Sequence, residues 1–161
     1  MNNINYNEIP AGWAFCQNGE CPKAGECLRY LACTTAPADI TRWVCVLPNV
    51  LKEGECRFFR KAETKRMARG LNGIMACAGS KQQRHNIRMA LTELLGSIGT
   101  YYRYKAGARW INPNQQQAIE ERLRKIGYDK EVEFDEYAET YDFTAGLSET
   151  FQAVERTEKS F

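Results

Sequence analysis

The chain has 161 residues, of which 43% are hydrophobic and 26% are charged, and its net charge at pH 7 is +2. This length excludes a long multi-domain enzyme, and the apolar content excludes a disordered chain. No apolar run approaches the roughly 20 residues of a membrane helix, and the polar start lacks the pattern of a secretory signal. We therefore expect a cytoplasmic protein that has no membrane partner.

Charge is distributed unevenly along the chain. Residues 57–88 carry nine basic side chains and one acid, whereas residues 129–161 carry ten acids and three bases. The basic segment suits an anionic partner, and the acidic end is either solvated or folds over the basic surface. We expect a cysteine-rich module over residues 1–60, a helical region over 61–145 and an acidic tail over 146–161.

Six of the seven cysteines precede residue 57. In a reducing compartment, clustered thiols are more often metal ligands than disulfides. The segment FCQNGECPKAGEC is rich in turn-forming residues, so its backbone can wrap around an ion, and zinc takes four thiolates at tetrahedral corners. The predicted ligands are Cys16, Cys21, Cys27 and Cys56.

The fourth ligand and the identity of the metal leave alternatives open. Cys56 is chosen because the turn-like Glu53-Gly54-Glu55 precedes it, and Cys33 is the second candidate. An iron–sulfur cluster also takes four thiolates, but nothing else in the sequence indicates electron transfer, so zinc is preferred. Cys45 and Cys77 lie in apolar runs and are expected to be small buried hydrophobes.

Two consecutive helices are predicted in the second half of the chain. Apolar residues recur at three- and four-residue steps from near Gln82, and Gly96 ends the pattern. A short helix follows, which Thr100 is expected to cap and Gly107 to end. This arrangement predicts two helices joined by a tight turn.

A third helix is predicted from Asn112, because Asn at the cap, Pro at the first helical position and Gln three residues after the cap form a capping box. Gly127 is expected to end it. The segment from Lys61 to Ala76 is also predicted to be helical, and residues 132–143 are expected to dock as a short strand or helix. The predicted fold class is mainly α, with an irregular N-terminal cysteine-rich metal module that contains little β.

Two resemblances follow from these segments. LTELLGSIGTYYRYKAG resembles the helix-turn-helix of bacterial DNA-binding proteins, and the similarity covers about residues 84–126. It implies that the second helix of the pair would contact DNA. FCQNGECPKAGECLRYLA, together with CRFF and YYRYKAG, resembles an uncharacterised family of Bacteroides-type bacterial proteins, a domain of unknown function. That resemblance implies no activity.

Basic and tyrosine side chains near the helix pair would contact phosphates if nucleic acid binds, and each basic contact would release counterions. The predicted contacts are Arg57, Arg60, Lys61, Lys65, Arg66, Arg69, Tyr101, Arg103, Lys105 and Arg109.

The sequence contains few of the motifs that indicate an enzyme. The only histidine, His85, lies at the start of a helix, no nucleophile motif surrounds any cysteine, and no phosphate-cradling glycine motif occurs. We therefore predict a zinc-stabilised regulatory protein that binds DNA or RNA and is not an enzyme. The alternatives are an iron–sulfur redox or sensor protein and a metal-stabilised module that binds another protein.

Overall fold

The structure is a computed structural model that describes residues 4–144. These residues form two compact units, which we call the cysteine unit (residues 4–63 with 143–144) and the helical unit (residues 64–142). Helix accounts for 41% of the described residues and strand for 16%. The prediction of a mainly α protein with little β is therefore wrong, and the protein is mixed α/β.

The cysteine unit is built from very short elements. Strand β1 (Phe15–Cys16) pairs in parallel with β2 (Cys45–Val46), and β3 (Leu51–Lys52) pairs antiparallel with β4 (Glu55–Cys56). Among residues 4–63, the α-helix is α1 (Leu28–Thr34). Turns of 3-10 helix lie at Tyr6–Glu8, Ala24–Glu26 and Pro48–Val50.

A buried arginine ties the cysteine unit together. The Arg29 side chain is only 1% exposed and donates hydrogen bonds to the carbonyl oxygens of Phe58 (2.9 Å) and Ala14 (2.7 Å). Its guanidinium also stacks over the Trp13 ring, 4.4 Å from the centroid. Two segments that are distant from α1 in sequence, around Ala14 and Phe58, therefore converge on one side chain of α1.

The helical unit contains the longest strands, and one of them corrects a predicted helix. Strand β5 (Thr64–Arg69) pairs antiparallel with β6 (Glu136–Tyr141), and only α2 (Asn72–Ala76) remains of the helix expected over 61–76. Backbone pairing with a segment that is distant in sequence overrides the local helix preference here. Residues 132–143, expected as a strand or a helix, contain β6.

The two central helices have nearly the predicted limits. Helix α3 (Lys81–Leu95) begins at an N-cap Ser80 and ends at Gly96, whose φ of +88° is the left-handed geometry of a glycine cap. Helix α4 (Ile98–Lys105) begins earlier than expected, because Ser97 caps it by accepting from the backbone N–H of Thr100.

The third long helix has the predicted cap. Helix α5 (Pro113–Lys125) begins with a complete capping box, in which Asn112 and Gln115 each accept from the other's backbone N–H. The predicted helix and its start are confirmed. None of the helices described in residues 4–144 is long and apolar enough to cross a membrane.

The hydrophobic core of the helical unit is formed by side chains from the β5 strand, all four helices and the segment before β6. Leu91 and Ile87 of α3, Ile119 of α5 and Ala68 of β5 are all fully buried. The remaining members of this cluster are Leu71, Ile74, Ala78, Tyr101, Tyr104, Ile111, Leu123, Tyr128 and Phe134. This unit therefore has a continuous apolar interior of its own.

Candidate metal centre

The four cysteines predicted to bind metal line a single small cavity in the cysteine unit. The cavity has a volume of about 20 Å³, which exceeds the roughly 10–15 Å³ that one water-sized sphere needs. Its walls are completed by Asn18, Ala24, Arg29, Tyr30, Val46, Phe58 and Phe59. The space is therefore large enough for one small ion.

Short turns bring three of these cysteines to the cavity. Cys16 ends β1, and the backbone N–H of Cys21 donates to the carbonyl of Asn18 at 3.4 Å. The next turns follow at once, because Ala24 donates to the Cys21 carbonyl at 2.9 Å and Cys27 to the Ala24 carbonyl at 3.1 Å. Consecutive tight turns curl the loop around the cavity, as its content of glycine, proline and asparagine predicts.

A hairpin delivers the fourth cysteine. Glu53 and Gly54 connect β3 to β4, and both have positive φ, 51° and 79°. Two positive φ values are the requirement of a tight two-residue hairpin turn. Cys56 is the last residue of β4 and lies directly after this turn.

The thiols affect one another electrostatically. Burial raises the pKa of the Cys16 thiol above its usual value of 9.0, and the neighbouring thiols of Cys27, Cys45 and Cys56 raise it further. A hydrogen bond with the backbone of Asn18 acts in the opposite direction. A cation in the cavity would reverse this balance, because it stabilises thiolates and releases their protons.

The sulfur atoms do not already form a ligand set. All seven cysteines are free thiols, and within residues 4–144 no three Cys, His, Asp or Glu side chains are grouped closely enough to hold an ion. The four cavity cysteines nevertheless share one wall-lined space. Coordination would therefore require their side chains to turn toward its centre.

The other three cysteines lie outside the wall of this cavity. Burial raises the pKa of the Cys33 thiol, and the thiols of Cys45 and Cys16 add to the effect. Cys45 is only partly buried on β2. Cys77 is exposed because α2 ends at Ala76, and its prediction as a core residue is wrong.

The residues predicted to contact nucleic acid are divided between the two units. Arg57, Arg60 and Lys61 belong to the cysteine unit, and the other seven belong to the helical unit. The Arg57 guanidinium lies 4.8 Å from the centroid of the Phe58 ring, and Lys61 forms an exposed ion pair with Glu63 at 3.2 Å. These side chains already have local partners.

Acidic and aromatic side chains contact the basic side chains of β5. Arg69 forms an ion pair with Glu136 at 2.7 Å and Lys65 forms one with Asp142 at 3.6 Å. The guanidinium of Arg66 stacks on Tyr137 of the paired strand, 4.2 Å from the ring centroid. The acidic segment thus covers part of the basic surface.

Helix α4 exposes a different tyrosine from the predicted one. Tyr101 is 1% exposed and lies in the core, so its ring is not available to a nucleic acid, whereas Tyr102 is 48% exposed. Arg103 and Lys105 lie in the last turn of α4, and Arg109 is exposed in the loop after it.

Arg29 is a cavity residue that the sequence analysis missed. A single arginine in a cysteine-rich segment carries no spacing signal, and its role depends on contacts that only the fold creates. Its buried guanidinium is a positive charge in the wall of a cavity lined by thiols.

A family model described as "Family of unknown function (DUF6078)" matches residues 1–143. The chain belongs to this family. The expectation of membership in an uncharacterised family is therefore confirmed, and the matched range includes all four cavity cysteines. No curated protein and no solved structure matches the chain. The chemistry of the cavity is accordingly the basis for assigning a function.

Proposed function

We propose that this protein is a zinc-stabilised binding protein whose cysteine unit folds around one ion held by Cys16, Cys21, Cys27 and Cys56. The observation that carries the proposal is that one small cavity is lined by all four side chains. The donor set is that of a closed structural zinc site, in which four thiolates leave no position open for substrate.

The size of the cavity favours a single ion over a cluster. A volume of about 20 Å³ accommodates one ion, whereas an iron–sulfur cluster also contains several inorganic sulfides and needs considerably more space. The alternative is an iron–sulfur redox or sensor protein. Binding of a cluster would require the loops around the cavity to move apart.

The energetics of the cysteine unit also support a structural ion. Its strands have two residues each within the described part, and its α-helix has seven, which is shorter than the length at which helices are stable on their own. Binding of zinc to a tetrathiolate site supplies about 10–16 kcal/mol of apparent free energy at neutral pH. An ion would supply the stability that such short elements lack.

The charge of the site is offset by Arg29. Zinc with four thiolates carries a formal charge of −2, which is costly to bury without compensation. The guanidinium of Arg29 lines the cavity and is itself buried. We therefore assign Arg29 a structural and electrostatic role beside the ion. Free thiols also suit a reducing cytoplasm, where we place the protein.

The proposed partner of this binding protein is DNA or RNA. Regulatory binding of DNA or RNA through a helix-turn-helix-like α3–α4 pair gains support from Tyr102 and Arg103, which are exposed on α4. The pairing of β5 cations with β6 acids reduces the phosphate-binding surface that the sequence predicts. A protein partner is the alternative, and Bacteroides-type bacteria are the proposed source.

Elemental analysis tests the zinc proposal. The full-length chain, purified without chelators, is expected to contain one zinc per chain. Cys21→Ser is expected to lose that zinc, and Cys77→Ser is the matched control because Cys77 is exposed and outside the cavity wall. Equal zinc contents in the two variants, or a wild-type protein that contains iron and sulfide, would reject the assignment.

A further inference from the structure

The start of helix α3 forms a cleft in which three of the five lining residues are cations. Its volume is about 250 Å³, and its walls are Met75, Lys81, Arg84, His85 and Arg88. The four α3 residues follow one another at helical spacing, so they share one face over two turns. No carboxylate is among these lining residues.

Two contacts hold the walls of this cleft in place. The Arg84 guanidinium donates to the carbonyl oxygen of Ala78 at 3.4 Å, across the loop that precedes α3. Arg88 Nη2 lies 3.4 Å from Nδ1 of His85, one turn apart on the same face. These contacts orient Arg84 and Arg88 at the wall of the cleft.

This arrangement opposes the stability of the helix. A helix N-terminus favours negative charge, yet α3 has no acidic residue in its first turn and begins with Lys81. Helix α5 follows the opposite and favourable pattern, with Arg122, Arg124 and Lys125 in its last turn. Local choices that oppose stability are concentrated at functional sites.

Four cations elsewhere in the helical unit have carboxylate partners. Lys65 pairs with Asp142, Arg69 with Glu136, Arg122 with Glu93, and Arg124 with Glu120. In the part of the chain that the structure describes, Lys81, Arg84 and Arg88 take part in no ion pair. The α3 cleft is thus a concentrated positive charge that has no carboxylate partner among residues 4–144.

We propose that the α3 cleft binds an anion that carries two or three linked phosphate groups. Arginine binds phosphate oxygens through paired N–H groups, lysine adds a point charge, and the amino end of α3 adds its dipole. The cleft has room for several groups, and its three permanent cations offset most of the negative charge of such an anion. A long nucleic-acid strand is disfavoured, since two cations of β5 and two of α5, Lys65, Arg69, Arg122 and Arg124, already form ion pairs.

Calorimetric titration of the full-length protein with inorganic tripolyphosphate at low ionic strength tests this proposal. The test variant is Lys81→Gln/Arg84→Gln/Arg88→Gln, and the control is Arg122→Gln/Arg124→Gln/Lys125→Gln, which removes the same charge from α5. We expect the affinity to fall about tenfold or more in the test variant and to stay within about twofold in the control.

Several results would overturn the proposal. They are an absence of tripolyphosphate binding to the wild type, equal losses in the two variants, and binding of a single-stranded oligonucleotide without binding of tripolyphosphate. The last result would assign the face to nucleic acid. Arg84→Gln alone serves as a milder variant should the triple variant fail to fold, and it is expected to weaken binding in the same direction.

The comparison of the two triple variants does not depend on whether the cysteine unit holds zinc. Both triple variants keep the same cysteines, so withdrawal of metal by tripolyphosphate would occur equally in both. The zinc content of each sample is measured before titration, which separates a failure of the metal centre from a failure of the anion cleft.

Discussion

The helical unit buries a continuous cluster of apolar side chains beneath helices of five to fifteen residues. The cysteine unit, in contrast, has two-residue strands and the seven-residue α1 around a cavity lined by cysteines. A hydrophobic core stabilises the first of these arrangements in water without further help. The cysteine unit has little regular secondary structure, so a bound ion would add most to its stability. The comparison shows that two units of one chain can differ in what stabilises them, an apolar core in one and a proposed ion in the other.

The largest expected effect comes from removing the metal. Chelation, or Cys21→Ser, should expose the backbone amides of residues 4–63 to hydrogen exchange, while amides of α3 and α5 stay protected. The reason is that about 10 kcal/mol or more of apparent stabilisation is lost from the cysteine unit alone. Hydrogen exchange read by mass spectrometry on intact chain measures this, and loss of protection across both units alike would contradict it.

The next effect comes from a cavity in the core of the helical unit. Leu91 is fully buried, so Leu91→Ala should lower the free energy of unfolding of this unit by about 3 kcal/mol without changing the zinc content. Met89→Ala on the same helix is the control, because Met89 is 53% exposed and its truncation should cost at most about 0.5 kcal/mol. Chemical denaturation followed by circular dichroism, with zinc analysis of each sample, measures both. Equal destabilisation by the two variants is the contrary result.

The pH dependence of the cysteine unit should change sign with the metal. Without metal, burial and then the neighbouring thiols raise the pKa of Cys16 above 9.0, so the folded thiol keeps its proton to higher pH than the unfolded chain does. That contribution is present below pH 9.0 and is lost as the pH rises through the raised pKa. With zinc the folded form holds thiolates, so stability is lost as the pH falls.

Thermal unfolding of the zinc-loaded and metal-free proteins between mildly acidic and alkaline pH measures this contrast. The zinc-loaded cysteine unit should become less stable toward acid, and the small folded fraction that this unit keeps without metal should fall further toward alkali. Parallel pH profiles for the two forms would show that zinc does not bind through these thiols.

The smallest expected effect concerns the two charge patterns within the helical unit. Lys81→Gln removes a cation from the first turn of α3 and should raise the free energy of unfolding by about 0.3 kcal/mol. Lys125→Gln removes one from the last turn of α5 and should lower it by a similar amount. Denaturation in phosphate-free buffer compares them, and shifts in the same direction would refute the charge argument for α3.

Local signals in the sequence predict much of the helical unit. The capping box at Asn112 and the stops at Gly96, Gly107 and Gly127 are all observed, the three glycines at φ of +88°, +74° and +83°. Such caps depend on residues close together in the chain, so the sequence alone contains them.

Strand β5 was missed for the opposite reason. It pairs with residues 136–141, so its hydrogen bonds depend on a partner almost seventy residues away. The charge contrast between the basic 64–69 segment and the acidic 136–141 segment was the available signal, and it is realised in the Arg69–Glu136 pair. Periodicity within one segment cannot report such a pairing.

The sequence predicts which cysteines line the cavity, but it does not predict the other side chains of the cavity wall. Turn residues around Cys21 and the Glu53-Gly54 step indicate where the chain bends, and all four predicted cysteines line the same space. Arg29 and Phe58 come to the wall through contacts between segments, and no local pattern indicates them. Exposure of Cys77 likewise depends on where α2 ends.

X-ray absorption spectroscopy at the zinc edge, on the full-length protein purified without chelators, tests the central claim most directly. We expect a first shell of four sulfur atoms at about 2.3 Å. A first shell that contains nitrogen or oxygen donors, or a protein without zinc, would contradict the account of the cysteine unit.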